Sequence, residues 1–381
     1  MSIKSMKEIF VYGKAVSEDN FIGREEESRH LAENFRGGIN TILISPRRWG
    51  KTSLVNHVCR QLSSSELLIV KLDIFGCKSE YEFYNLLASS VLQQTASRTE
   101  LWLDEAKDFL LRLTPKISLS PDPNQEYSVS LGITPKTHTY QEVLSLPETI
   151  AQRKGKHVVV CIDEFQQVGE WPDSRFIQGR LRSVWQQQEH VTYCLYGSKQ
   201  HLMSSIFASK SMPFYQFGDI VWLKRMPAET WVPYIIKQFS AVGKTISEVL
   251  ATKICAIVDC YSSYVQQLAR FLVLQVPDGG QATEAMLEAA VGRLLEANEM
   301  LFMQQIEPLS AYQLNFLEAI AAGNHDGFTD RETRSNYDLG SPSNIVRLKD
   351  ALIDKDLIYS EMKKIYITDP VLQLWIQRRF L

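Results

Sequence analysis

The stretch Ile44-Ser-Pro-Arg-Arg-Trp-Gly-Lys-Thr-Ser-Leu constrains this chain more than any other. The β-branched run at 41–44 precedes it, and residues 51–62 behind it carry helical periodicity. A strand, a glycine-containing turn and Lys-Thr at a helix start form one unit. In it, backbone N–H groups and the positive helix end hold a phosphate. Gly50 is expected to allow close approach without a Cβ. Lys51 is expected to reach the β- and γ-phosphates, and Thr52 to offer its hydroxyl to Mg²⁺. Pro46, Arg47, Arg48, Trp49 and Ser53 complete the expected nucleotide contacts. Arg47 and Arg48 either face the phosphates or pair with acidic groups elsewhere, and Trp49 reads as a hydrophobic lid. The first motif position is Ser45, a departure from G-x-x-x-x-G-K-[ST].

A second element lies about 110 residues on. Val158-Val-Val-Cys-Ile-Asp-Glu is an apolar strand ending in two carboxylates. Asp163 can hold a magnesium shell, and Glu164 can polarise water for attack on a γ-phosphate. Asp-Glu after a strand is often only a helix start, but paired with the loop at 45–52 it points to ATP hydrolysis. A third strand, 191–196, runs into Gly197-Ser198-Lys199. There Ser198 either contacts the γ-phosphate and attacking water or is a turn residue without a role. Arg180 and Arg182 lie on the intervening helix. Arg182 is the candidate for an arginine presented to a neighbouring nucleotide, against the alternative of a solvated face.

The chain has 381 residues, enough for two to three domains. Its 41 basic and 44 acidic side chains leave a formal charge of −3, which argues against a polyanion-coating protein. No apolar run is long enough for a membrane span and no signal core opens the chain. Six cysteines without CxxC or His-rich spacing argue against a zinc site, and the chain reads as cytoplasmic.

Apolar strands at 41–44, 67–73, 157–162 and 191–196 alternate with helices at 24–35, 51–62, 79–95, 101–113 and 141–153. That order implies an α/β fold, the three-layer αβα parallel sheet of a P-loop NTPase. Alternation at 116–134 around Pro-Asp-Pro-Asn reads as a hairpin insertion. Helices follow at 228–241, 246–258, 262–275 and 283–304, a separate helical lid domain. From Leu309 the order is helix-helix-helix-strand-strand, a winged helix. The expected domains are 1–225, 226–307 and 308–381.

Several stretches resemble the archaeal-type ATPase family, a branch of P-loop ATPases close to the AAA+ and STAND groups. They are Phe10-Val-Tyr-Gly-Lys, Phe21-Ile-Gly-Arg-Glu-Glu-Glu, the phosphate-loop stretch, Asp163-Glu-Phe-Gln, Tyr196-Gly-Ser-Lys-Gln-His-Leu-Met, Pro213-Phe-Tyr-Gln and Asp369-Pro-Val-Leu-Gln-Leu-Trp. The resemblance runs nearly the whole chain. It implies that Phe21, Ile22, Gly23 and Arg24 pack on the adenine side, with Gly23 in a tight turn. It also implies that Tyr264 faces the nucleotide. AAA+ proteins carry a sensing arginine near that place; here Arg270 comes one and a half turns later and reads as a surface residue.

The winged helix raises the question of DNA. Residues 309–381 hold nine basic and ten acidic side chains, a net charge of −1. The third helix offers Arg347 and Lys349 against Asp350 and Asp354, and a DNA reader normally shows a basic footprint. A protein partner is therefore favoured over DNA, although Lys363 and Lys364 at the wing keep DNA open. Oligomerisation is open too. The leading expectation is a Mg-dependent regulatory ATPase that binds ATP and ADP and whose nucleotide state sets its domain arrangement. The alternatives are a DNA-acting AAA+ protein and a nucleotide-dependent scaffold with little turnover.

Overall fold

The apolar runs do become strands, and their burial explains why. In the computed structural model, which describes residues 9–16, 20–62, 67–95 and 140–381, β1 (Thr41–Ile44) and β4 (Val191–Gly197) are buried along their whole length. β3 (His157–Asp163) is buried throughout its centre. With β2 (Leu67–Asp73) they pair in parallel, and a fifth strand, β5 (Asp219–Trp222), joins β1 on its other side. The order is β2-β3-β4-β1-β5. The sheet has five strands where the sequence suggested four. β5 is short and lies at the edge, with Trp222 exposed, so it lacks the continuous apolar run that marks a buried strand.

The chain divides into two compact units. One comprises Arg24–Arg47 and Lys51–Lys224; the other comprises Met1–Gly23, Arg48–Gly50 and Arg225–Leu381. In the first, helices Glu25–Arg36, Lys51–Leu62 and Glu80–Thr95 flank the sheet in the expected three-layer fold. The helix expected at 141–153 is two pieces, Tyr140–Leu144 and Leu146–Lys154. Pro147 in the first turn of the second piece has no N–H, so the hydrogen-bond ladder is interrupted there. The helix read at 101–113 and the hairpin at 116–134 lie outside the described residues.

In the second unit, helices Ala228–Ala241, Glu248–Ile257, Ser262–Gln275 and Glu284–Ile306 fall where the periodicity placed them. Ile9 and Phe10 belong to this unit's core. Ile9 and Phe10 are fully buried, and the Phe10 ring meets Tyr234 and Phe239 at centroid distances of 6.1 and 5.7 Å. Arg270 is no free surface arginine, because it donates to the Ile9 carbonyl at 3.0 Å.

The winged helix follows as Ala311–Ala321, Arg331–Asn336 and Pro342–Asp354, then the antiparallel pair β6 (Ile358–Glu361) and β7 (Lys364–Ile367). A complete capping box between Ser310 and Gln313 starts the first helix. A last helix, Pro370–Phe380, was not read from the sequence. Its signal was present: Asp369 Oδ1 accepts from the Val371 and Leu372 N–H groups at 2.9 and 3.2 Å, and proline stands at the helix start.

Candidate functional site

Because β1, β3 and β4 are parallel, their carboxyl ends share one edge of the sheet, where open α/β sheets bind ligands. β4 lies between β1 and β3. The loop after β1, the carboxylates ending β3 and the serine after β4 are thereby brought together.

Lys51 opens the helix after the loop and is buried at 6 % exposure. Its Nζ donates to the Ser45 and Pro46 carbonyls at 2.9 and 3.1 Å. Burial pulls its pKa down to about 8, against the opposing pull of the Asp163 and Glu164 carboxylates. Thr52 Oγ1 donates to Asp163 Oδ2 at 2.9 Å, and the Glu164 N–H donates to Asp163 Oδ1 at 2.8 Å. Burial raises the Asp163 carboxyl to about 6.

Gly50 has φ +94° and open space where a Cβ would stand. The left-handed backbone alone favours glycine in this loop, and the open space leaves room for the close approach expected. Ser45 is absent from the positive-φ positions, so a side chain is tolerated where the usual motif has glycine. Glu164 itself takes φ +55°. Its Oε2 accepts from Gln166 Nε2 and, at 3.1 Å, from Ser198 Oγ. Arg47 Nε reaches Ser198 Oγ at 3.4 Å. Ser198, buried at 6 % exposure, thus bridges a loop arginine and the carboxylate.

Arg182 is not in this set. Its Nε donates to Gln186 at 3.2 Å and its guanidinium lies 4.9 Å from the Phe217 ring centroid. Arg180 pairs with Glu80 at 3.0 Å. Arg24 is buried and paired with Glu27 at 2.7 Å, and Ser53 is half-buried in the helix's first turn.

The middle of the loop makes its contacts within the second unit. Arg48, at φ +69°, donates to the Tyr264 hydroxyl and lies 3.7 Å from Asp369 Oδ2. The Tyr264 hydroxyl donates to that same Oδ2 at 2.5 Å. Burial and the facing carboxylate raise the tyrosine pKa, keeping the hydroxyl a donor. Trp49 meets the Tyr261 ring edge-on at 5.6 Å. Gly23 has φ +63°, and a Cβ there would stand 2.2 Å from Thr230 Cγ2, so the expected tight turn is real. Phe21 and Ile22 are half-buried, and Ile22 packs on this unit's core.

Sequence reasoning gave no role to Gln166 or Asp369. Asp369 precedes a proline, a readable helix-start signal, whereas no local signal marks Gln166.

The residues fit a magnesium nucleotide. A buried ammonium and a half-buried carboxylate have their charged forms disfavoured, and a polyphosphate with a divalent cation relieves both. The Thr52 hydroxyl and Asp163 carboxylate are hard oxygen ligands standing side by side. Among the described residues no larger cluster could hold a metal. Mg²⁺ takes one or two protein oxygens and completes its shell with phosphate and water.

This is the P-loop ATPase fold, carried into a helical segment and a winged helix. A family model described as a probable winged helix domain matches residues 300–378. Among solved structures, the chain is similar to a Walker-type ATPase of Pyrococcus abyssi. The identity is 18%, with 97% of this chain and 99% of that one covered and a TM-score of 0.69. The ORC2 protein of Aeropyrum pernix in ADPNP–ADP complexes matches at 12% identity over 95% and 97% of the two chains, TM-score 0.55. Its ADP form matches at 13% over the same shares, TM-score 0.54. No curated protein matches by sequence. No helix among the described residues is long and apolar enough to cross a membrane.

Proposed function

We propose that the protein binds MgATP and hydrolyses it, and that the nucleotide state regulates how its parts are arranged. The observation that carries this reading is the convergence of Lys51, Thr52, Asp163, Glu164 and Ser198 on one edge of the sheet. Lys51 leaves its two carbonyl partners to contact the phosphates. Thr52 and Asp163 would hold a magnesium ion, which would neutralise phosphate charge. Glu164 accepts a proton from water as its oxygen attacks the γ-phosphorus. The bond to the β–γ bridging oxygen breaks, and ADP leaves with the electron pair. Ser198 and Arg47 flank the carboxylate. Phe21, Ile22, Gly23 and Arg24 serve the adenine side.

Arg48, Trp49 and Gly50 group with the second unit and Lys51 with the first. Tyr264 acts through Arg48 in this reading. We further propose the division at 1–225, 226–307 and 308–381 as the functional one, with Ile9 and Phe10 anchoring in the helical part.

A protein partner is favoured over DNA by the surface of the third winged-helix segment. Val346 is 59 % exposed, beside exposed Arg347, Asp350 and Asp354. At the wing, Met362 and Lys363 both take left-handed φ and Met362 is 93 % exposed. Apolar tips and mixed charge suit a protein surface better than a phosphate backbone.

The test is phosphate release from ATP by the purified full chain, with and without Mg²⁺, alongside melting with MgATP and MgADP. Tight binding stabilises a fold by about 2.7 kcal/mol at a hundredfold excess over Kd. No melting shift with either nucleotide would remove the reading.

A further inference from the structure

Gln166 is fully buried two residues beyond Glu164. Its Nε2 donates to Glu164 Oε2, while its Oε1 is buried without a hydrogen-bond partner. The reverse amide orientation would set an oxygen against a carboxylate, so the orphaned atom is the carbonyl oxygen. A buried acceptor left unpaired is a standing cost, and native interiors keep few of them. Packing supplies a second, independent observation. A Cβ at Gly197 would stand 2.0 Å from Gln166 Oε1 and 2.8 Å from Met203 Sδ. Gly197 is not among the positive-φ glycines, so the backbone does not require it. It is the absence of a side chain that gives the amide its slot.

Ser198 Oγ meets the same oxygen of Glu164. Both donors therefore converge on Oε2, and among the described residues none is bonded to Oε1. Two hydrogen bonds to one oxygen fix the carboxylate plane and leave the other oxygen as the open acceptor. The left-handed backbone at Glu164 is held as well, by the Phe165 N–H to the Tyr196 carbonyl at 3.0 Å and the Glu164 N–H to Asp163 Oδ1.

We propose that Gln166, seated in the slot left by Gly197, is a positioning residue that aims Glu164 Oε1 at the attacking water. This rests on the reading of Glu164 as the hydrolytic base. The predicted signature is a loss confined to turnover. Gln166→Leu keeps apolar packing and removes the donor. It should lower kcat by about ten- to a hundredfold, the scale of a misplaced catalytic group. The Kd for MgATP should stay within about twofold, because Gln166 touches no expected phosphate ligand. The melting temperature without nucleotide should not fall, since the orphaned carbonyl goes with the amide.

Gly197→Ala reaches the same end from the other side. It should push Gln166 out and cost similar turnover, yet add little in a Gln166→Ala background. Additive losses would overturn the slot argument. A Gln166→Leu protein with wild-type kcat, or one whose nucleotide affinity and melting temperature collapse with kcat, would overturn the positioning role. Glu164→Gln separates the two layers. If it keeps wild-type turnover, the base assignment itself has failed; if it is inactive while Gln166→Leu is not, only this inference has failed.

Discussion

The sheet edge and the winged helix are built on opposite terms. At the sheet edge the chain accepts cost: left-handed backbone at Glu164, a buried Lys51 and an orphaned Gln166 carbonyl. In the winged helix the local rules are mostly met. Ser310 and Gln313 close a capping box, Asp369 caps the last helix, and Phe316 and Phe328 pack at 4.6 Å between ring centroids. Left-handed non-glycine residues stand there too, at Asp338, Asp356, Met362 and Lys363, the last two at an exposed tip. Strain gathers where a structure must present groups it could otherwise relax, and function is argued from such places. On that basis we propose the sheet edge as the chemical site, since its departures fall among polar groups that meet there, whereas those of the winged helix fall in its turns.

The contrast is broken most directly at Lys51. Lys51→Ala should abolish nucleotide binding, measured as loss of the MgATP melting shift of about 2.7 kcal/mol expected at a hundredfold over Kd. An undiminished shift would mean that the ligand is held elsewhere.

Glu164→Gln should keep binding and lose turnover by about a hundredfold or more, the usual contribution of a general base. The amide keeps the shape but cannot take the water's proton. Phosphate release near the wild-type rate would show that another group does so.

The buried charges give a pH signature. Phosphate favours the charged form of Lys51, whose pKa in the nucleotide-free fold is about 8. Below that value the ammonium is already present. Above it, binding must take up a proton, so Kd should rise by up to about tenfold per pH unit. At the acid side, Mg²⁺ favours ionised Asp163, whose pKa is about 6, so binding should weaken as pH falls below 6. Calorimetry with MgATP from pH 5 to 9.5 measures both limbs, and a flat profile would place these groups outside the ligand's reach.

The smallest effect is expected in the winged helix. Arg347→Ala with Lys349→Ala should leave ATPase activity unchanged. Binding to a mixed-sequence duplex should stay weaker than about 10⁻⁶ M at physiological salt. Fluorescence anisotropy across salt is the measurement. Sub-micromolar binding that the two substitutions remove would turn the module into a DNA contact.

What the sequence determined by itself was local and periodic. The Gly-Lys-Thr turn, the apolar strands and the amphipathic helices announce themselves because burial on a fixed period leaves a pattern along the chain. Lys51, Thr52, Asp163 and Glu164 were legible because each sits at the junction of two such elements. The edge strand β5 was not legible, being short and half-exposed. The role of Gln166 could not be read either, since it depends on a missing Cβ at Gly197, thirty-one positions away. The partnership of Arg48 with Tyr264 and Asp369 spans still larger separations. Arg182 is placed only by the structure: within this chain its contacts are Gln186 and the Phe217 ring. Periodicity records what a residue buries. Only the tertiary structure, by placing β4 between β1 and β3, decides which polar groups meet.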